Sequence, residues 1–393
     1  MRKLFMVAGE SSGDLHGSAL VRALLARQPA MEIKGLGGPK MQQAGAKLVA
    51  DLTHHAVVGF FEGLRNVSRI YSVYRNVVRL LETDKPDAVV LIDYPEFNLR
   101  LARRAKKLGI PVIYYISPQV WAWRQWRVKT IAKYVDKMFV IFPFEEDFYR
   151  KHGIQAEFVG HPLVDVLADV PDRSASRKDL GLTDSDTVIG LLPGSRRKEI
   201  EAILPIMARA AQTVRDTLGR PVKFLLARAP SLDDHLLQKY IPRECPEVRI
   251  VSEDTYRVMR SADILLVASG TATVEAMILG TPMVVVYRVS LLTWILFIRL
   301  MKVAHYAMVN IVAGREIVPE CIQWRASPAL VAQEALSMFQ GDRLQQVSQN
   351  LSTITGLLRR PSIPANLHPG AQGDVPSGVA ARILEFLNKK GGT

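Results

Sequence analysis

The chain has 393 residues, a formal net charge of +13 at neutral pH and an apolar fraction of 48%, which excludes a disordered chain and leaves room for two ordinary domains. Its two cysteines, Cys245 and Cys321, lie far apart with no C-x-x-C, which argues against a disulfide framework or a zinc site and fits a reducing cytoplasm. The charge asks for an acidic partner, and without a zinc-finger or RNP-type pattern a phosphorylated substrate or an anionic membrane is favoured over nucleic acid.

The N-terminal "MRKLFMVAGESSGD" looks like a signal peptide only superficially. Its apolar stretch, residues 4–8, is too short, and Glu10 and Asp14 follow at once. It reads as a first strand that turns into the helix "DLHGSALVRALLARQP". Gly9, Gly13 and Gly17 bracket the turn without forming G-x-G-x-x-G, and the next strand, "EIKGLGG", closes on no acidic residue, so NAD is disfavoured. Glu10, Ser11, Ser12, Asp14 and His16 either cap this helix or form a ligand-facing loop.

A helix is predicted across "PKMQQAGA", and residues 57–81 set Phe60, Phe61 and Leu64 beside Arg65, Arg69 and Arg75, a pattern suited to an anionic bilayer. The continuous apolar run "DAVVLID" predicts a strand buried on both faces. Asp93 ends it and Pro95 stops the ladder. A carboxylate there points into a ligand crevice and can act as a general base, with Glu96 a second candidate; a turn-capping aspartate is the plainer alternative. The amphipathic helix "LRLARRAKKLGI" and the strand "PVIYYIS" follow. In "SPQVWAWRQWR", Trp121, Trp123 and Trp126 stand next to arginines, as a platform for a sugar ring or as aromatic packing. "KMFVIFP" and "AEFVG" are two more strands.

Residues 161–186 are polar, broken by Pro162 and Pro171, and read as a linker. The D-S-D at 184–186 copies the D-x-D of metal-dependent sugar transferases but reads as turn aspartates, and no metal site is expected. The pattern then restarts with the strands "TVIGLLPGS", "KFLLARAP", "VRIVSE", "ILLVASG" and "TPMVVVYR". Gly194 and Ser195 sit where the first of these meets a helix, an anion-binding position, and Arg196 can fork onto a phosphate. Ser269, Gly270, Thr271, Ala272 and Thr273 repeat that logic one strand later. Glu275 lies a turn deeper on an apolar helix, where it needs a donor: a ribose diol or an arginine of the fold. Residues 289–308 predict an apolar helix, either packed in the core or lying on a membrane, and no window reaches the ~18 uninterrupted apolar residues of a spanning helix. Residues 359–378 are Pro/Gly/Ser-rich, and a short amphipathic helix closes the chain.

The alternation predicts an α/β protein of two Rossmann-like domains facing across a cleft: 1–168, 169–358, and a tail, 359–393, whose docking is open. The ordered set "AGESSGDLHG", "LIDYPEFN", "SPQVWAWR", "VGHPLVD", "LLPGSRRKEI", "SGTATVEAMILGTPMVVVYR" and "NIVAGREIVPECIQ", spanning residues 8–323, closely resembles the lipid-A-disaccharide synthases, inverting glycosyltransferases of the GT-B architecture. The resemblance implies transfer of 2,3-diacylglucosamine from UDP to the 6-hydroxyl of 2,3-diacylglucosamine 1-phosphate. It implies no cofactor and no metal, a peripheral position on the inner face of the cytoplasmic membrane, and leaves room for a homodimer. It assigns Asp93 as base, Arg196 and residues 269–273 to the pyrophosphate and Glu275 to the ribose. Asn310, Arg315, Glu316 and Gln323 rank second, against the alternative of a loop that knits the second domain. The rival readings are another GT-B enzyme acting on UDP-N-acetylglucosamine, such as a 2-epimerase, and a non-catalytic nucleotide-sugar or membrane-binding protein.

Overall fold

The computed structural model describes residues 1–51, 63–245, 247–252, 254–301, 303–359 and 374–391. The chain divides into two compact units, Met1–Pro162 with Leu358–Thr393, and Leu163–Leu357. Each is a parallel sheet covered by helices.

In the first unit the strands are β1 (Lys3–Ala8), β2 (Glu32–Gly37), β3 (Lys47–Asp51), β4 (Ala88–Ile92), β5 (Val112–Tyr115), β6 (Lys137–Val140) and β7 (Ala156–Phe158). They order β3-β2-β1-β4-β5-β6-β7, all parallel. All five residues of β4 are buried, as its unbroken apolar run requires of a central parallel strand. Strand order reverses between β1 and β4, so the loops after these two strands part to opposite faces and leave a crevice at their carboxyl ends. Glu10 and Asp93 follow those two strands.

The second unit repeats the plan with β8 (Thr187–Leu192), β9 (Val222–Arg228), β10 (Val248–Ser252), β11 (Ile264–Ala268), β12 (Met283–Tyr287) and β13 (Glu320–Ile322), ordered β10-β9-β8-β11-β12-β13. Its switch point lies between β8 and β11, the strands that lead into Gly194 and Ser269. The edge strands β3 and β13 escape the sequence reading because they are short, and β3 is half exposed.

The polar stretch 161–186 is more than a tether. It holds the helices Leu163–Val166 and Arg173–Asp179. Arg177 is buried and donates to the carbonyls of Ser261, Thr183, Asp184 and Asp186 and to the carboxylate of Asp263. A buried guanidinium needs this full set of acceptors. Asp184 and Asp186 accept from Ser174, Thr183 and Lys223, as turn aspartates do.

The apolar segment 289–308 forms a shorter helix, Leu291–Leu300, followed after a break by Met308–Ala313. Trp294 is buried, whereas Leu291, Ile295 and Ile298 are exposed at 53%, 42% and 48%. The closing helix, Val375–Gly391, packs on the helix Ser11–Arg27 of the first unit. Val379, Ala380, Ile383 and Leu387 are buried there, and Arg382 pairs with Glu157. Phe60 and Phe61, and the side chains of Leu64, Arg65 and Arg69, lie outside the described residues.

Candidate active site

In the first unit the turn after β4 is built around Asp93. Asp93 and Tyr94 both adopt left-handed backbone, at φ 45° and 47°, which non-glycine residues hold only when surroundings enforce it. Those surroundings are identifiable. The Asp93 carbonyl accepts from Asn98 Nδ2 at 2.6 Å and from the buried Tyr114 hydroxyl at 2.5 Å, and the Asp93 N–H donates to Ile116 at 3.2 Å. Asn98 Nδ2 also reaches the Ile92 carbonyl at 3.2 Å. The Tyr94 ring lies where a side chain at position 9 would be: a Cβ on Gly9 would come within 2.2 Å of it. Gly9 is therefore required by close approach.

Burial pushes the Asp93 carboxyl up to about 7, with the charge of Glu10 adding to it and an N–H of Tyr94 opposing. A carboxylate poised there suits proton abstraction near neutral pH. Glu96 differs. It is exposed and paired with Arg124 and Arg127, both at 2.8 Å, which commits its charge to two cations.

Several of the other residues singled out in this half have structural work. Asp14 accepts from the N–H groups of Gly38, Lys40 and Met41 at 2.8, 3.1 and 3.0 Å and so caps the helix Pro39–Gln43. His16 is buried, its pKa lowered to about 4 by burial and by Lys40; it is neutral at pH 7. It lies near His161, itself lowered to about 3. Glu10 is the N-cap residue of the helix Ser11–Arg27 without a side-chain cap bond, Ser11 is exposed and Ser12 half-buried. Trp121 is buried and donates to Glu145 at 3.1 Å, while Arg124 stacks over Trp123 at 4.2 Å. Glu145 also accepts from Ser117, Ile141 and Phe142 and ties the aromatic loop to the helix Pro143–Arg150.

In the second unit a cavity of about 320 Å³ lies at the carboxyl ends of β8 and β11, lined by Gly194, Ser195, Arg196, Ser269, Gly270, Thr271, Ala272 and Glu275. The sequence reading brought these residues together from two distant motifs. Gly194 has φ 111°, and a Cβ there would meet Glu199 at 2.3 Å. Glu199 takes the N–H groups of Ser195 and Arg196 at 3.1 and 3.2 Å, so those amides are engaged. The Ser195 hydroxyl and the exposed Arg196 guanidinium, which Glu199 meets only at 3.5 Å, are what this loop offers a ligand. Ser269 donates to the Tyr306 carbonyl and Thr273 to that of Gly270, at 3.1 and 2.8 Å. Thr271 and Ala272 open the helix Thr271–Ile278, and N–H groups of a first turn have no carbonyl one turn back. Glu275 stands one turn from Thr271 on the same face. It accepts from Tyr256 at 3.2 Å, and burial raises its pKa.

Asn310 and Gln323 do not join this cavity. Asn310 is fully buried and makes four bonds, to Val318, Glu320, Ile317 and again Val318. Gln323 pairs in both directions with the backbone of Val289. Both knit loops of the second unit. Arg315 and Glu316 are exposed, Arg315 reaching Asn350 at 3.4 Å. Asn98, Tyr114, Glu145 and Tyr256 were missed in sequence; of these, only Asn98 sat inside a motif already noted. Among the described residues, no group of three His, Cys, Asp or Glu is arranged to hold a metal ion, and no helix is long and apolar enough to cross a membrane.

The two sheets, with their sites at the switch points, are the fold of GT-B glycosyltransferases and UDP-N-acetylglucosamine 2-epimerases. A UDP-GlcNAc 2-epimerase from Neisseria meningitidis bound to UDP-GlcNAc superposes with a TM-score of 0.62 at 12% identity, covering 98% of this chain and 99% of that one. The calicheamicin glycosyltransferase does so at 0.59 and 17%, covering 99% and 98%. The sequence model of the lipid-A-disaccharide synthetase family matches residues 4–362. A lipid-A-disaccharide synthase of Syntrophus aciditrophicus is 44% identical over 360 residues, 91% of this chain and 94% of its own. One of Geobacter metallireducens is 41% identical over 389 residues, 99% and 98%. The chain belongs to the lipid-A-disaccharide synthase family and is a glycosyltransferase of lipid A biosynthesis.

Proposed function

We propose that the chain transfers 2,3-diacylglucosamine from its UDP derivative to the 6-hydroxyl of 2,3-diacylglucosamine 1-phosphate, in one displacement that inverts the anomeric carbon. The observation that carries this reading is Asp93, a carboxylate poised near pH 7 on a locked turn at the first unit's switch point. In its ionised form it takes the proton of the acceptor hydroxyl as that oxygen bonds to the anomeric carbon. The bond to the UDP oxygen breaks at the same time, and UDP leaves with the electron pair. Arg196, the Ser195 hydroxyl and the first-turn N–H groups of Thr271 and Ala272 meet the charge that develops on the leaving diphosphate. Glu275, with Tyr256 beside it, accepts the ribose hydroxyls. These donors supply the role that a metal fills in D-x-D enzymes, so no metal is needed.

Both lipids carry acyl chains, which places the reaction at a membrane face. The net charge of +13, Arg75, and the exposed stripe of Leu291, Ile295 and Ile298 support peripheral binding to an anionic bilayer. The test is to incubate the protein with both lipids, with and without chelator. Disaccharide 1-phosphate and UDP are expected in equal amounts under both conditions. No disaccharide would overturn the reaction, and loss with chelator would overturn its metal independence.

A further inference from the structure

A second cavity, of about 530 Å³, lies in the first unit, walled by the helices Gly63–Asp84 and Pro95–Lys107. That volume is in the ~300–1,000 Å³ range of small-molecule sites. Its walls are aromatic. Phe97 meets Tyr74 edge-on at 5.8 Å and stacks with Tyr94 at 5.9 Å, and Tyr71 is 60% exposed at the mouth. Its rim is cationic: Arg100, Arg103, Arg104 and Lys107 all come from the outer face of the helix whose inner face is in the core. Arg104 is paired with Glu82. Among the described residues no carboxylate pairs with Arg100, Arg103 or Lys107. The carboxylate on the lining, Glu96, is already paired with Arg124 and Arg127, so an apolar trough with unpaired cations on one edge is complementary to an amphiphile with an anionic head. The trough begins at Tyr94, the residue after Asp93.

We propose that this groove binds the lipid acceptor, one acyl chain lying along Tyr71, Tyr74 and Phe97 and the phosphate on Arg100, Arg103 and Lys107. The inference rests on the transfer reaction proposed above and assigns it an acceptor subsite. The groove holds the lipid by the end remote from the reacting hydroxyl, so its contacts act on binding and leave the chemical step to Asp93.

The test uses monododecyl phosphate below its micelle concentration, titrated into the full-length protein by calorimetry. Inorganic phosphate and dodecyltrimethylammonium are the comparators. The parent is expected to bind the alkyl phosphate at least ~10-fold more tightly than either. The double variant Arg100→Ser/Arg103→Ser, both side chains exposed, should weaken it ~10-fold or more with UDP affinity unchanged, as loss of charge-assisted phosphate contacts predicts. With acceptor presented in detergent micelles, the same variant should raise KM for the acceptor ~10-fold at little cost in kcat. Equal binding of all three probes, or equal binding by parent and variant, overturns the site. So does a variant defect seen on anionic vesicles but absent in micelles, which makes the groove a bilayer contact. Alkyl phosphate binding without any disaccharide formation refutes the transfer reaction and leaves the groove standing. Disaccharide formation with an unchanged acceptor KM does the reverse.

Discussion

Asp93 carries two opposed consequences of one perturbation. Burial holds its carboxyl at about 7, against ~3.9 in an unfolded chain. Between those values the folded protein binds the extra proton, so stability falls as pH rises from about 4 to about 7. The ionised base, in contrast, becomes available as pH rises through about 7. Activity is therefore expected to climb across that pH while stability declines. Asp93→Asn should lower kcat ~100-fold or more, abolish the rise near pH 7, and leave UDP affinity unchanged. It should melt higher than the parent at pH 8 and alike at pH 4. A variant with full activity, or with the parent's pH profile, excludes Asp93 as base. Glu275 is a half-buried carboxylate one turn behind a helix start, with Tyr256 as its donor. Glu275→Ala is expected to weaken UDP binding about tenfold by calorimetry, a loss typical of one or two hydroxyl–carboxylate bonds. Uracil binding, which has no ribose to lose, should not change.

At the scale of elements, the turn after β4 is strained and the helix behind it supplies the restraint. Asn98 anchors the carbonyls of both Ile92 and Asp93 from inside the helix Pro95–Lys107, so strand, turn and helix are one mechanical piece. Asn98→Ala removes both bonds and leaves buried carbonyls under-satisfied. It should cost about 2 kcal/mol in urea unfolding and lower kcat by more than KM rises, since it frees the base from its geometry. Arg177 does the equivalent for the start of the second unit. With four carbonyls and Asp263 around it, Arg177→Met is expected to cost about 3 kcal/mol or more, with the loss confined to the second unit.

At the scale of the molecule, two sheets with separate cores make separate cooperative units, and the last helix belongs with the first of them. Deleting residues 359–393 uncovers the helix Ser11–Arg27 where Val379, Ile383 and Leu387 pack. Burial of side chains of this size is worth ~1.5 kcal/mol or more each. Calorimetric melting of the truncated chain should show the first unit's transition lowered and the second unit's in place. A single unshifted transition would show that the helix contributes nothing there.

The architecture is legible in the residues alone, because a parallel sheet buried on both faces writes each central strand as an unbroken apolar run; "DAVVLID" and "ILLVASG" admit little else. The sequence also singles out the loops after the central strands as candidate sites, since residues that follow such strands face the ligand crevice. Tertiary structure decided which residues there are available to a ligand. Asp14 and Gln323 read in sequence as site residues, yet their side chains are engaged by backbone groups of distant segments, and that of Asn310 by the nearby loop of Ile317, Val318 and Glu320. Asp93 reads in sequence as the first candidate base and Glu96, three positions on, as the second; in the fold two arginines pair Glu96 while burial raises Asp93. Hydrogen-bond satisfaction and desolvation depend on neighbours brought together by folding, and no local pattern of residue types records them.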